Sequence, residues 1–307
     1  FPTPSGEKVA IRVLDPTTGL RNFDELGLSE HNARVLEAAI VRPYGMILLS
    51  GPTGSRKTTT LYAIMQRLNN DTVNILSLED PVEYFMEGIN QSQVKPEIGY
   101  DFDSGLRQML RQDPDIIMVG EIRDAETASL AVNTALTGHV VLSTIHTNNA
   151  VGVIPRIVDL GVQPFLLSSA LNLMIAQRLV LQLCPECRKI SEAPIDVQKA
   201  IAHELSLLPA DVRRAVTWKP PFSTYRAEPK QTCKVCRGKG TVGRTALFEM
   251  FEMDEAVSNM VNAGFTEGKL WEVARRQGMV TLRQDGILKA LKGDIRVEEV
   301  LQETTAT

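Results

Sequence analysis

Residues 51–58 read Gly-Pro-Thr-Gly-Ser-Arg-Lys-Thr, the spacing G-x-x-x-x-G-K-[ST] of a phosphate-binding loop with arginine at its sixth position. In such a loop backbone N–H groups cradle phosphates, the lysine reaches the outer phosphate oxygens, and the following hydroxyl binds Mg²⁺. The spacing therefore assigns a nucleoside-triphosphate site to Gly51, Pro52, Thr53, Gly54, Ser55, Arg56, Lys57, Thr58 and Thr59. Lys57 would hold phosphate and Thr58 the metal. The plainer alternative is a glycine-rich turn with a stray Lys-Thr. Context weighs against it: an apolar run at 46–49 precedes the loop, and Leu61, Ile64, Met65 and Leu68 follow on one helix face. Arg56 is the departure. Glycine at this position serves an unusual backbone conformation and close approach to phosphate, and a side chain forced to positive φ costs roughly 1 kcal/mol or more. The sequence predicts weakened ATP binding, with the arginine side chain turned out of the phosphate pocket. Two origins stay open: an exchange introduced into an otherwise active site, and a natural variant with altered or lost activity.

Acidic residues end two further apolar runs. Residues 116–119 are apolar and lead to Glu121, the arrangement in which a strand carries a carboxylate to Mg²⁺ and the attacking water. Glu121 is the candidate that orients or deprotonates that water. Glu79, Asp80 and Glu83 follow another run, and Glu83 is the candidate that reaches the same metal through water. Solvated acids at strand ends are common, so each alone says little; together behind a phosphate loop they point to one site. His139 and His146 bracket a strand at 140–144. A lone histidine is more often structural, but His146 falls just past the strand end on the expected ligand side, placed to sense a γ-phosphate.

The four cysteines fall in two C-x-x-C pairs, Cys184/Cys187 and Cys233/Cys236. Two such knuckles supply four thiolates, which suits tetrahedral Zn²⁺ in a closed structural site. The 45 residues between the pairs exceed a compact zinc ribbon and predict a looped-out subdomain. Disulfides and free thiols are the alternatives. Arg188, Lys189, Lys234, Arg237 and Lys239 surround the pairs, but without interleaved aromatic residues they do not read as a nucleic-acid surface.

Positioning these groups takes alternating strands and helices. Strands are expected at 46–49, 73–78, 116–119 and 140–144, with helices near 29–40, 103–112 and 125–136. That alternation predicts a parallel sheet with helices on both faces, and such sheets hold ligands at the carboxyl ends of their strands. A strand at 7–14 and a turn at 15–19 read as the end of an upstream domain, and the absence of an initial Met suggests a piece of a longer protein. The most apolar stretch, 165–183, contains Gln177 and Arg178, which would be costly in lipid; it reads as a buried helix, not a membrane span. From 253 onward the pattern is helical. The length, 307 residues, allows two or three domains. A net charge of −4 gives no global basic field for nucleic acid or acidic membranes. No signal peptide opens the chain, so a reducing cytoplasm is the default.

Four stretches, GPTGSRKTTTLYA (51–63), EDPVE (79–83), DPDIIMVGEIRDAET (113–127) and TGHVVLSTIHTNNA (137–150), resemble the phosphate loop, Asp box, Walker B motif and His box of the secretion ATPases that drive type II secretion and type IV pilus assembly. The likeness extends through Ala176-Gln177-Arg178-Leu179, Gly243-Arg244, Phe248-Glu249 and the stretch 278–286, so it covers nearly the whole chain. It implies an α/β fold: a RecA-like P-loop NTPase core with a parallel sheet, a tetracysteine zinc subdomain and a C-terminal helical region. The implied divisions are 1–22 (terminal strand and linker), 23–183 (ATPase core), 184–245 (zinc subdomain) and 246–307 (helical region). It also implies ATP, Mg²⁺ and Zn²⁺, a homo-hexameric ring, and arginines from the preceding domain completing each pocket. Arg12 is the candidate for that role and Arg21 a weaker one. The expected place is the cytoplasmic face of the inner membrane, peripheral, through a platform protein and without direct nucleic-acid contact. In the resembled family the tetracysteine element marks assembly-type rather than retraction ATPases. The expectation is a motor ATPase; the alternative is a structural ring subunit of the same machine, impaired by Arg56.

Overall fold

The computed structural model describes residues 2–4, 6–9 and 22–305. Arg12, Arg21 and most of the expected strand at 7–14 lie outside the described residues. Near the start, β1 (Pro2–Thr3) pairs antiparallel with β2 (Gly6–Glu7). The strands that follow are β3 (Gly45–Ser50), β4 (Ile75–Glu79), β5 (Ile89–Gln93), β6 (Ile116–Val119), β7 (Val140–Ile145), β8 (Leu171–Leu183), β9 (Arg188–Glu192), β10 (Ser223–Ala227) and β11 (Thr241–Glu252). Seven of them form one sheet in the order β11-β8-β3-β7-β6-β4-β5. It is parallel from β8 to β5, and β11 joins antiparallel at the edge. The small pair β9–β10 stands apart between the two cysteine pairs.

Because side chains alternate along a strand, a sheet covered on both faces divides its residues between two cores. Met46 and Leu48 of β3, Ile117 and Val119 of β6, and Met174 and Ala176 of β8 pack into one core. Ile47 and Leu49, Ile116 and Met118, and Leu173 and Ile175 pack into the other. The covering helices in chain order are α1 (Glu30–Ile40), α2 (Lys57–Leu68), α3 (Phe102–Met109), α4 (Ala125–Leu136), α5 (Val153–Asp159) and α6 (Pro164–Ala170). Ser29 caps α1 by accepting from Asn32 N at 3.2 Å. Helices α7 (Ile195–Ser206) and α8 (Ala210–Ala215) lie in the segment between the cysteine pairs, and α9 (Glu255–Ala263), α10 (Glu267–Gln277), α11 (Leu282–Lys292) and α12 (Val297–Glu303) close the chain.

The stretch 165–183 is not the expected buried helix. Helix α6 stops at Ala170 and the chain runs on as β8, a 13-residue strand. Both faces of β8 are buried over most of its length, so no polar alternation marked it. Its leucines favour helix by intrinsic propensity, and pairing with β3 on one side and β11 on the other overrides them. Strand β11 runs across the expected division at 245/246, so residues 241–252 complete the main sheet. Among the described residues no helix is long and apolar enough to cross a membrane.

Candidate nucleotide site and cysteine centre

The parallel strands β3, β4, β6 and β7 all end on one edge, and that edge opens into a cavity of about 580 Å³. Thr53, Gly54, Arg56, Lys57, Thr58 and Thr59 line it from the phosphate loop and the start of α2, Glu79 from the end of β4, Asp80 and Glu83 from beyond it, Glu121 from beyond β6, and His146 from beyond β7. The phosphate-loop residues Lys57 and Thr58 thus meet Glu83, Glu121 and His146 in one place.

The loop is held from below by β8. Gln177 donates from Nε2 to Ser55 O at 2.8 Å and accepts from Thr60 Oγ1 at 2.9 Å, gripping the loop and the first turn of α2. Gly51 sits at φ 144°, and a Cβ there would collide with the Gln177 carbonyl, so only glycine fits. Lys57 Nζ donates to Gly51 O at 2.9 Å and Pro52 O at 3.3 Å. Burial lowers its pKa, Glu121 opposes that shift, and Arg178 adds to it. Arg56, the N-cap of α2, takes φ 64° and ψ 37°, the left-handed conformation that the motif reserves for glycine. It is exposed and borders the cavity as well as a small hollow lined by Leu26, Gln177 and Arg244.

Glu121 is largely buried and held on both oxygens. Arg123 pairs with Oε1, and His146 Nε2 lies 3.4 Å from Oε2. The hydrogen bond to Glu121 raises the Arg123 pKa. Thr144 Oγ1 donates to Gly120 O at 2.8 Å and fixes the turn that presents Glu121. Glu79, buried, accepts from Tyr62 Oη, Ser77 Oγ and Gln91 Nε2. Burial, and then Glu79 itself, drive the tyrosine pKa up, which keeps it a proton donor. Tyr62 Oη also accepts from Glu83 N at 3.3 Å, so Glu79 positions the segment bearing Glu83.

Sequence reading passed over Arg123 and Tyr62. The available signals were an arginine two residues beyond Glu121 and a tyrosine on the loop-facing turn of α2. Ser55 Oγ is a buried hydroxyl with no hydrogen-bond partner, and Lys57, Thr58 and Thr59 line the cavity beside it. A triphosphate fits that donor set, and Thr58, Glu121 and Glu83 supply the oxygens that suit Mg²⁺.

The two cysteine pairs converge away from this cavity. Their four Sγ atoms lie within 4.8 Å of one another, with 3.8 Å between Cys184 and Cys233 and 3.6 Å between Cys187 and Cys236. A Zn–S bond of about 2.3 Å gives a tetrahedron edge of about 3.8 Å, so the thiols fit that ion. Backbone turns shape each knuckle, as Arg188 N donates to Cys184 O and Arg237 N to Cys233 O, both at 2.9 Å. Cys184 N donates to Gly240 O at 3.0 Å and ties the knuckles together.

A mostly parallel α/β sheet with a phosphate-type loop at its carboxyl edge is the architecture of nucleotide-binding domains. The model of the Type II/IV secretion system protein family matches residues 1–302, and the chain belongs to that family. It is 44% identical over 304 residues to the type II secretion system protein E of Pseudomonas aeruginosa, covering 99% of this chain and 57% of that protein. It is 43% identical over 305 residues to the type IV pilus assembly ATPase PilB of Myxococcus xanthus, covering 99% of this chain and 51% of that protein. The chain therefore spans little more than half the length of these relatives. Its fold matches the pilus retraction motor PilT with bound ADP at a TM-score of 0.67 and 28% identity, over 95% of this chain and 68% of that one. It matches the Legionella pneumophila ATPase DotB at 0.65 and 24%, over 94% and 66%, a likeness of fold.

Proposed function

We propose that this chain is the ATP-hydrolysing part of a motor that powers type II secretion or type IV pilus assembly. The observation that carries the reading is the meeting of Lys57, Glu83, Glu121 and His146 around one cavity beneath the phosphate loop. In this reading Lys57 leaves its loop carbonyls for the phosphates, and Thr58 with the nearby carboxylates holds Mg²⁺. That ion supplies charge neutralisation for the transferred phosphoryl group. Glu121 orients the attacking water and accepts its proton. His146, already beside Glu121, reports the presence of the outer phosphate. The chemistry is mainly positioning and charge stabilisation. The relatives named for secretion and pilus assembly support the assignment of machine. We also assign Zn²⁺ to the four cysteines as a structural ion, and a homo-hexameric ring in which a neighbouring subunit or domain supplies further arginines, Arg12 among the candidates. Docking on an inner-membrane platform protein from the cytoplasmic side completes the proposal.

Arg56 favours a second reading, a ring subunit impaired in turnover, because it places a cationic side chain and a strained backbone where phosphate approaches. ATP hydrolysis by this chain and by its Arg56→Gly variant separates the two. Turnover in both supports the motor. Turnover that appears only in the variant supports impairment by Arg56. Absence of both binding and turnover in the glycine variant would overturn the nucleotide reading.

A further inference from the structure

Two sets of buried hydrogen bonds, joined through the backbone of residues 148–150, lie between the phosphate loop and the C-terminal helices. The first begins at Gln177 on β8, whose side chain bridges Ser55 O and Thr60 Oγ1. The next residue, Arg178, is 6% exposed. It donates from Nη1 to Gln177 O at 3.2 Å and from Nη2 to Asn148 O at 2.6 Å, in the loop that follows His146. On the neighbouring strand β11, Glu249 is fully buried. Its Oε1 accepts from Ala150 N at 2.8 Å, and its Oε2 accepts from Leu282 N at 3.2 Å, the first residue of α11. Glu249 and Arg178 lie close enough for each charge to favour the other.

None of these three side chains lines the nucleotide cavity. Packing alone would be served by apolar residues, since a buried charge is costly unless paired and hydrogen-bonded. What the three polar groups add is connection: one end holds the phosphate loop, the middle holds the loop after His146, and the far end holds the start of α11. We propose that Gln177, Arg178 and Glu249 form a positioning relay that keeps both nucleotide-site loops in register with α11, so that displacement of the C-terminal helices is felt at the phosphates. The relay rests on the nucleotide reading above and names the route by which that site is coupled to the rest of the motor.

Amide hydrogen exchange on the whole chain tests it, comparing the unaltered protein with Glu249→Gln and Arg178→Lys, each with and without Mg·ADP. Glu249→Gln keeps the shape and removes the charge; Arg178→Lys keeps the charge and removes the fork. Local loss of hydrogen bonds speeds exchange at 148–152 and 280–285 in the glutamine variant. The relay requires exchange about tenfold faster at 51–60 as well, where Glu249 makes no contact. Faster exchange confined to 148–152 and 280–285 overturns the relay. Where Glu249→Gln does not fold, Arg178→Lys decides by the same criterion, with faster exchange required at both 51–60 and 280–285. In the unaltered protein Mg·ADP slows exchange at 51–60 and, through the relay, at 280–285; slowing that stops at the loop overturns it. If Mg·ADP slows neither segment in the unaltered protein or in its Arg56→Gly variant, the nucleotide reading has failed, and the nucleotide-free comparison still decides the relay.

Discussion

At the scale of single residues, the site turns on two side chains with opposite standing in the sequence. Arg56 announced itself, because one non-glycine in a G-x-x-x-x-G-K-[ST] loop implies a positive φ, and φ is 64°. Replacing it by glycine removes backbone strain of about 1–2 kcal/mol and adds about 0.5–1 kcal/mol of unfolded-chain entropy, so stability rises by at most about 1.5 kcal/mol. Nucleotide affinity is the more sensitive reading: Mg·ADP binds Arg56→Gly at least about fivefold tighter, measured by calorimetric titration, because glycine removes the bulk of a side chain that borders the cavity where the backbone must approach phosphate. An unchanged affinity would mean that the arginine already lies clear of the phosphates. Glu121 was also legible, as an acid beyond an apolar run. Its partner Arg123 was not, because nothing in the spacing says that this side chain folds back on the carboxylate. With Glu121 as the base, Glu121→Gln lowers hydrolysis about 10²–10⁴-fold while leaving nucleotide affinity within a few-fold, read in an Arg56→Gly background.

At the scale of elements, the strands that bear the chemistry could be read and the strand that supports them could not. β3, β6 and β7 are short apolar runs punctuated by motif residues, and each lay within a residue or so of its expected place. β8 has the same buried character but is 13 residues long and rich in leucine, so periodicity and length both pointed to helix. Only the long-range partners, β3 and β11, make it a strand. The same blindness hid Glu249. Within its strand it looks like a solvated acid, whereas in the fold it is fully buried on the sheet's edge strand and accepts two backbone N–H bonds. Burial pushes the Glu249 carboxyl up to about 6, against two backbone N–H donors and Arg178, which pull it down. A pKa raised above the unfolded value means that stability is fullest below the unfolded pKa and falls as pH rises through about 6. The predicted loss from this group is about 2 kcal/mol between pH 4.5 and 7. Urea unfolding of the unaltered protein and of Glu249→Gln across that window isolates it: the difference between the two shifts in that direction, or the carboxyl is not buried as described.

At the scale of the whole molecule, the cysteine centre and the nucleotide cavity are separately built. The centre joins residues 184–187 to 233–236 and closes a long excursion holding α7, α8 and the β9–β10 pair. That excursion packs Ile201 and Phe222 into the main core and is closed at its base by the four thiols, and with the Zn²⁺ assigned above one ion per chain is expected by elemental analysis. Cys184→Ser with Cys233→Ser removes the ion and increases proteolysis within 188–232 while nucleotide binding persists. The cavity has the opposite dependence. The cations described around it, Lys57, Arg56 and Arg123, are occupied with loop carbonyls, strained, or paired to Glu121. A phosphoryl transfer site gains several orders of magnitude from an arginine delivered in trans, about 10³–10⁵ where one completes the charge. If a neighbouring subunit delivers it here, specific activity rises with protein concentration and levels off once rings have formed, and light scattering at the plateau gives six chains. A specific activity constant down to concentrations where only monomer is present would mean that the residues on this one chain suffice, and the ring would then serve force transmission alone.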